Sequence, residues 1–268
     1  MTWISLPNLT PSRVTALGCR KRFHAEFVAK SLPHEEFSPQ MAFGTAMHQA
    51  LQWLNTPINP VPPADRDIAA IVRRAFLQQP YSDASLQEEE IVRALPMIGN
   101  YHRQTVGGDQ ILGTEIFAQF SLSTSSPRKA VFGAKFDILL ARQDKGTVLV
   151  IRDYKTGQQR GVNLESACIM IAVAKAKLNE FKRVYGLPFA DVVLEYDYIS
   201  SNGLARRVAL GVNNVKELWP DLRDRAQVVY SSTEFPAEPG DYCPRCPLLE
   251  SCRPDQNVDV EELDMIFA

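Results

Sequence analysis

Residues 147–157, Thr-Val-Leu-Val-Ile-Arg-Asp-Tyr-Lys-Thr-Gly, constrain the fold more than any other stretch. The run opens with near-continuous apolar and β-branched residues, the pattern of a strand buried on both faces. It ends in Arg152, Asp153 and Lys155, and unpaired charge in an interior is costly. Alternation along a strand places Asp153 and Lys155 on one face, and Thr156-Gly157 marks the turn out. Such a pair is either a structural ion pair at a strand mouth or a reactive pair. In the second case the carboxylate holds a divalent cation, and the ammonium orients water or offsets charge on a phosphate. That is the chemistry of metal-assisted phosphodiester cleavage.

The preceding segment favours the reactive reading. Residues 131–142 (VFGAKFDILLAR) form a second strand pattern with Asp137 in its middle, and Gln143-Asp144-Lys145-Gly146 is turn chemistry. A hairpin centred on Lys145 sets Asp137 opposite Asp153, each eight positions from the centre. Opposed residues share a face, with Cβ atoms ~5 Å apart. Two acids so placed repel unless something binds between them, and a hard cation such as Mg²⁺ or Mn²⁺ is the simplest candidate. A one-residue slip would separate them, so the expectation depends on register.

The length of 268 residues suits one large domain or two small ones. Apolar content of 45% and charged content of 22% are those of a globular chain. No run approaches the ~20 apolar residues of a membrane span, and no secretory pattern opens the sequence. No membrane role and a cytoplasmic location are therefore expected. With a net charge of −2, any nucleic-acid contact must come from local patches.

Along the chain, Thr10 is an expected N-cap with Pro11 in the first turn of a short helix that Gly18 stops. Residues 41–54 read as a helix with an apolar stripe, and His48 sits at its edge. A lone histidine there is more often packed or solvated than a ligand. Residues 56–64 hold four prolines and read as a loop. Helices are expected over 65–79 and 85–104, the second opened by a Ser85/Glu88 capping box. Their charges (Arg73, Arg74, Glu88, Glu89 and Glu90) read as solvated faces. The sheet begins at 111–123, with Glu115 near the strand start.

After the polar loop containing Arg160, residues 163–185 read as one long helix whose Lys175 and Lys182, seven apart, share a face as a candidate phosphate track. Residues 190–212 form a hairpin turning at Asn202-Gly203, and a helix over 214–230 follows.

Five cysteines without a leader pattern argue for metal ligation or free thiols. Cys243 and Cys246 have metal-site spacing, Cys252 supplies a third thiolate, and Cys19, 224 residues before Cys243, is the best fourth. Zinc and a four-iron–four-sulfur cluster both accept four cysteines, and spacing alone favours zinc. Cys168, in an apolar helix, reads as core. The acidic tail 255–268 ends in Met-Ile-Phe-Ala and reads as disordered or as a partner-docking peptide.

Gly133 through Asp137, then Asp153-Tyr154-Lys155-Thr156-Gly157, resemble the Gly-x-x-x-Asp and Asp-x-Lys-Thr-Gly motifs of RecB-like nucleases of the PD-(D/E)XK superfamily. Gly44-x-x-x-His48 resembles that family's first motif, and Cys19-x-x-x-Phe23 with Cys243, Cys246 and Cys252 resembles its iron–sulfur branch. That branch includes the AddB nuclease domain and the CRISPR-associated RecB-like exonucleases.

The resemblance implies an α/β, restriction-endonuclease-like fold: a mixed central sheet flanked by helices, with the N- and C-terminal segments joined by a metal cluster. It implies a single domain over 1–268. Segments 1–40 and 236–254 would bind the cluster, 41–110 be helical, 111–212 form the core sheet and helix, and 255–268 the acidic tail. His48, Asp137, Asp153 and the Tyr154 carbonyl would hold Mg²⁺ or Mn²⁺, with Glu115 at greater distance, and Lys155 would position water. Arg160, Lys175 and Lys182 would contact nucleic acid. DNA ends or single strands would be the substrate, and CRISPR integrase proteins or a helicase the partners, in CRISPR adaptation, DNA repair or phage defence. The sequence departs from the family where a Gln and, four residues on, a Tyr usually follow: here stand Ser166 and Met170, or Cys168 and Ala172. That departure supports an alternative, an inactive DNA-end-binding or partner-docking subunit on the same fold.

Overall fold

The computed structural model describes residues 6–32, 38–57, 67–81, 83–105, 108–125, 128–156, 161–240, 243–249 and 252. Gly157, Arg160, most of the proline-rich loop and the acidic tail lie outside them. Five strands, β1 (Gln110–Ser123), β2 (Lys129–Asp144), β3 (Gly146–Lys155), β4 (Phe189–Ser200) and β5 (Gly203–Gly211), lie side by side in chain order. All neighbours are antiparallel except β3 and β4, which are parallel. A parallel pair needs a crossover, and α5 (Leu164–Ala176) and α6 (Leu178–Tyr185) supply it. This is the mixed, helix-flanked sheet expected from the sequence.

The β2–β3 hairpin has the expected register. Asp144 pairs Gly146 around Lys145, and the ladder runs to Ile138 opposite Arg152. There it stops. Past that point β3 stays with β4 alone, while β2 continues beside β1. The N-terminal segment takes the vacated edge of β2: Leu9 N–H donates to Val131 O at 2.7 Å, and Gly133 N–H to Leu9 O at 2.8 Å. The sheet is therefore forked, and Asp137 and Asp153 are the first residues inside the fork.

Two cores cover the sheet. One face packs on α5, α7 (Trp219–Ser231) and the N-terminal turns, the other on α2 (Pro39–Asn55), α3 (Ile68–Leu77) and α4 (Ala84–Thr105). Phe132, Ala134 and Phe136 of β2 belong to the first core, yet Ile138 and Leu140 belong to the second. Strict alternation would keep these even-numbered residues together, so the strand inverts at Asp137.

Several local expectations are corrected. Thr10 caps no helix: its hydroxyl lies 3.0 Å from Ser12 Oγ, and a 3₁₀ turn starts only at Val14. A short α1 (Arg20–Phe23) then runs into a π-turn at His24–Val28. Ser85 lies inside α4, and Asp83 caps instead, accepting from Ser85 N–H at 2.8 Å. Glu88 pairs with Arg73 at 2.8 Å, both exposed, as a solvated face should. The helix over 163–185 breaks at Lys177, whose φ and ψ are −96° and 2°. The helix expected over 214–230 starts at Trp219, because Pro220 is suited only to a first turn.

The β4–β5 turn is held by α4. Gln104 Oε1 accepts from Leu204 N–H at 2.7 Å, and Asn100 Nδ2 donates to Ser201 O at 2.8 Å. Gly203 has φ +92°, and a Cβ there would lie 2.8 Å from backbone atoms of Asn100 and Tyr101. We expect Gly203→Ala to destabilise the protein by about 1–3 kcal/mol, read as a lower denaturant midpoint. Gly161→Ala, where a Cβ meets nothing within 4 Å, should leave the midpoint unchanged.

Candidate active site

Four of the expected residues meet at the fork. Asp137 and Asp153 enter from β2 and β3, Lys155 from the end of β3 and His48 from α2. Because β2 has left β3, the Tyr154 amide has no strand partner on that side, and it donates to Asp137 Oδ2 at 2.9 Å. The same oxygen lies 3.2 Å from His48 Nδ1. Asp153 and Lys155 share a face, as alternation requires, and Lys155 Nζ sits 2.5 Å from Asp153 Oδ2. The ammonium also lies 5.1 Å from the centre of the Tyr196 ring, a cation–π contact. His48 packs edge-on to Tyr154, with ring centres 6.0 Å apart.

Local sequence explains how each group is held. Ser38 caps α2 and Pro39 opens it. The apolar stripe of Phe43, Met47, Ala50, Leu51 and Leu54 buries that helix against the sheet, which turns His48 toward the fork. A buried ion network that the sequence reading missed braces the end of β3. Arg152 binds Glu195 of β4 at 2.9 Å and Asp109 at 3.0 Å. Arg142 of β2 binds the same two acids at 2.5–2.8 Å. Asp197 takes Arg207 of β5 at 2.6 Å and the Tyr101 hydroxyl at 2.6 Å. The available signal was charge recurring at alternate positions of an apolar strand, Glu195 and Asp197, opposite the in-register Arg152.

The two central acids have opposite electrostatics. Burial would raise Asp137, but the hydrogen bond and charge of His48, with the Tyr154 amide, hold its carboxyl below the usual range. Burial, reinforced by the charge of Asp137, pushes Asp153 up to about 6. Burial would lower the His48 imidazole, yet its bond to Asp137 and the nearby acids carry it above the ordinary value.

Among the described residues, no three His, Cys, Asp or Glu side chains are grouped closely enough to hold a metal ion. Each acid faces a cationic side chain instead: Asp137 has His48, Asp153 has Lys155, and Glu115 forms an ion pair with Lys135. The donor set nonetheless suits a hard cation. Asp153 Oδ2 is buried with the Lys155 ammonium as its ion-pair partner, and two neighbouring carboxylates at one site are balanced best by a further hard cation.

Other expected residues fall elsewhere. Lys175 pairs with Asp191 at 2.9 Å, and the break at Lys177 separates it from Lys182, so the two form no common track. Arg160 lies outside the described residues. Cys168 is core: it is buried, donates to Val215 O at 3.5 Å and is pushed up to about 11 by burial. Cys19 and Cys252 are buried, and Cys243 and Cys246 half-buried. The chain ends are tied together near them, Arg20 Nε to Glu238 at 2.9 Å and Lys21 N–H to Pro236 O at 3.1 Å.

Comparison with known proteins gives one family match: the PD-(D/E)XK nuclease superfamily model matches residues 8–253. No curated protein matches the chain. A solved structure described as the crystal structure of SSO0001 is 10% identical, with 89% of this chain and 95% of that one covered at a TM-score of 0.32. No described helix is long and apolar enough to cross a membrane.

The position of Asp153 makes a testable statement about stability. Its carboxyl ionises at about 6 when folded against 3.8 ordinarily, so the folded state binds the proton more tightly and ionisation weakens the fold as pH rises through this window. Asp153→Asn should therefore stabilise the metal-free protein at pH 7–8 by about 1–3 kcal/mol. The gain should fade as pH falls from about 6 to 4. Thermal melts across that range in EDTA, then with Mn²⁺, check it: the ion should raise the melting temperature of the natural protein more than that of the variant.

Proposed function

The chain belongs to the PD-(D/E)XK nuclease superfamily, and from that premise we propose that it is a metal-dependent DNA nuclease, an exonuclease acting on DNA ends or single strands. The observation that carries this reading is the convergence of Asp137, Asp153, Lys155 and His48 at the fork, with both carboxylates largely buried. His48, Asp137, Asp153 and the Tyr154 carbonyl would hold Mg²⁺ or Mn²⁺, with Glu115 farther out. When bound, the ion supplies Lewis acidity and neutralises phosphate charge.

The protein groups do the rest. Asp137 ties the Tyr154 amide and His48 together, which keeps the carboxylates in place against their repulsion. Lys155, 45% exposed, orients the attacking water and offsets charge developing on the non-bridging oxygens. We expect Lys155→Ala to lower cleavage of end-labelled single- and double-stranded DNA in Mg²⁺ or Mn²⁺ by about 10²-fold or more, without loss of folding. The product ladder reports polarity. Absence of cleavage by the natural protein in either metal would overturn the proposal in favour of a DNA-end-binding or partner-docking subunit, the reading that the missing Gln/Tyr pair supports.

In this proposal Cys19, Cys243, Cys246 and Cys252 would hold a structural four-iron–four-sulfur cluster, although among the described residues no three of these thiols are grouped. Its support is the tie between Arg20 and Glu238 and the burial of Cys19 and Cys252. Zinc is the alternative, and metal analysis of anaerobically purified protein separates the two. Cys243→Ser should lose metal and thermal stability together. A variant that stays folded and metal-free yet loses cleavage would contradict the structural role. A CRISPR-adaptation, repair or phage-defence setting accords with this reading.

A further inference from the structure

Glu115 has an outer place in the proposed metal site, but its ion pair with Lys135 gives Lys135 no part in the chemistry above. Both residues line a cleft of about 590 Å³ that has His48 and Asp137 in its wall. Glu115 occupies the β1 position between Thr114, paired with Ile138, and Ile116, paired with Phe136, and so stands opposite Asp137. Its φ of +56° is left-handed, a conformation costing a non-glycine residue about 1 kcal/mol or more. An ion pair with one exposed member returns little stability, and Lys135 is 62% exposed. The strain is therefore not explained by the strength of the pair. It places a carboxylate, and through it an ammonium, beside the candidate reacting centre.

Neutral amides make up another part of the wall. Gln79 Nε2 donates to Gln49 Oε1 at 3.1 Å, and Gln52 lies along the same cleft. A cation and a row of amides beside an acid pair match the parts of one nucleic-acid strand. Phosphate takes the cation, and exposed base edges or sugars take amide donors and acceptors.

Building on the nuclease reading, we infer that Lys135 is a substrate-binding residue for a single DNA strand, holding a phosphate next to the one that is cleaved. Glu115 is its internal competitor, occupying the ammonium until a strand displaces it. Lys135 then contributes binding energy, and Lys155 chemistry.

The test is binding of a fluorescent single-stranded oligonucleotide, by anisotropy across a salt series, with Ca²⁺ in place of Mg²⁺. Lys135→Ala, folded by circular dichroism, should bind about tenfold more weakly at low salt. Its slope of log affinity against log salt should fall by about 0.7, one phosphate contact on a single strand. Lys135→Arg should keep both, and Glu115→Gln should bind severalfold more tightly. In Mg²⁺, Lys135→Ala should raise KM and keep kcat. If Lys135→Ala matches the natural protein in affinity and slope while that protein binds and cleaves, the inference fails and the nuclease reading stands. Weaker binding by Glu115→Gln would overturn the competitor role. A natural protein that neither binds nor cleaves DNA would remove both readings.

Discussion

The parting of β2 from β3 beyond the Ile138–Arg152 pair governs the rest of this molecule. A strand losing a neighbour leaves backbone donors and acceptors without partners, and buried ones must find others. Here the Tyr154 amide finds the Asp137 carboxylate. On the other arm, Leu9 closes the edge of β2. The fork thus brings two largely buried acids to the wall of a cleft that is lined mainly by polar side chains. Neither acid can be solvated fully there, and each is driven to a cation.

A strand end in this position would fray without lateral support. The Arg152, Arg142 and Arg207 guanidiniums, set against Asp109, Glu195 and Asp197, supply that support on the face under α4. The three cations and three anions balance, which is how such a cluster tolerates burial. A buried ion network adds little net stability compared with an apolar core of the same shape. What this one supplies is position. A one-residue slip of β3 along β4 would take Arg152 away from Glu195 and leave both charges unpaired, so the register that aims Asp153 and Lys155 into the fork is strongly enforced.

Some of this was legible in the sequence. The symmetry of the hairpin about Lys145 placed Asp137 and Asp153 at equivalent positions, because turn chemistry and strand alternation are local rules. His48 was not legible by such rules, since its position on an apolar stripe suits a packed histidine equally well. Only its resemblance to a family motif singled it out, and only the packing of α2 turned it to Asp137. The break at Lys177 carries no glycine or proline, so helical periodicity ran straight through it. Asp83 and Ser85 compete for the same cap, and their order along the chain does not say which one the tertiary structure selects.

By itself, the sequence determined the strands, the turn at Lys145, the shared face of Asp153 and Lys155, and the superfamily motifs, because backbone alternation and turn preferences act over a few residues. The tertiary structure decided that the ladder stops after Ile138 and Arg152, that Glu115 meets Lys135, and that six charges cancel beneath α4. Those outcomes depend on which strands and helices compete for the same backbone groups and the same buried volume. That competition is settled by contacts between segments far apart in the chain, and no local pattern records it.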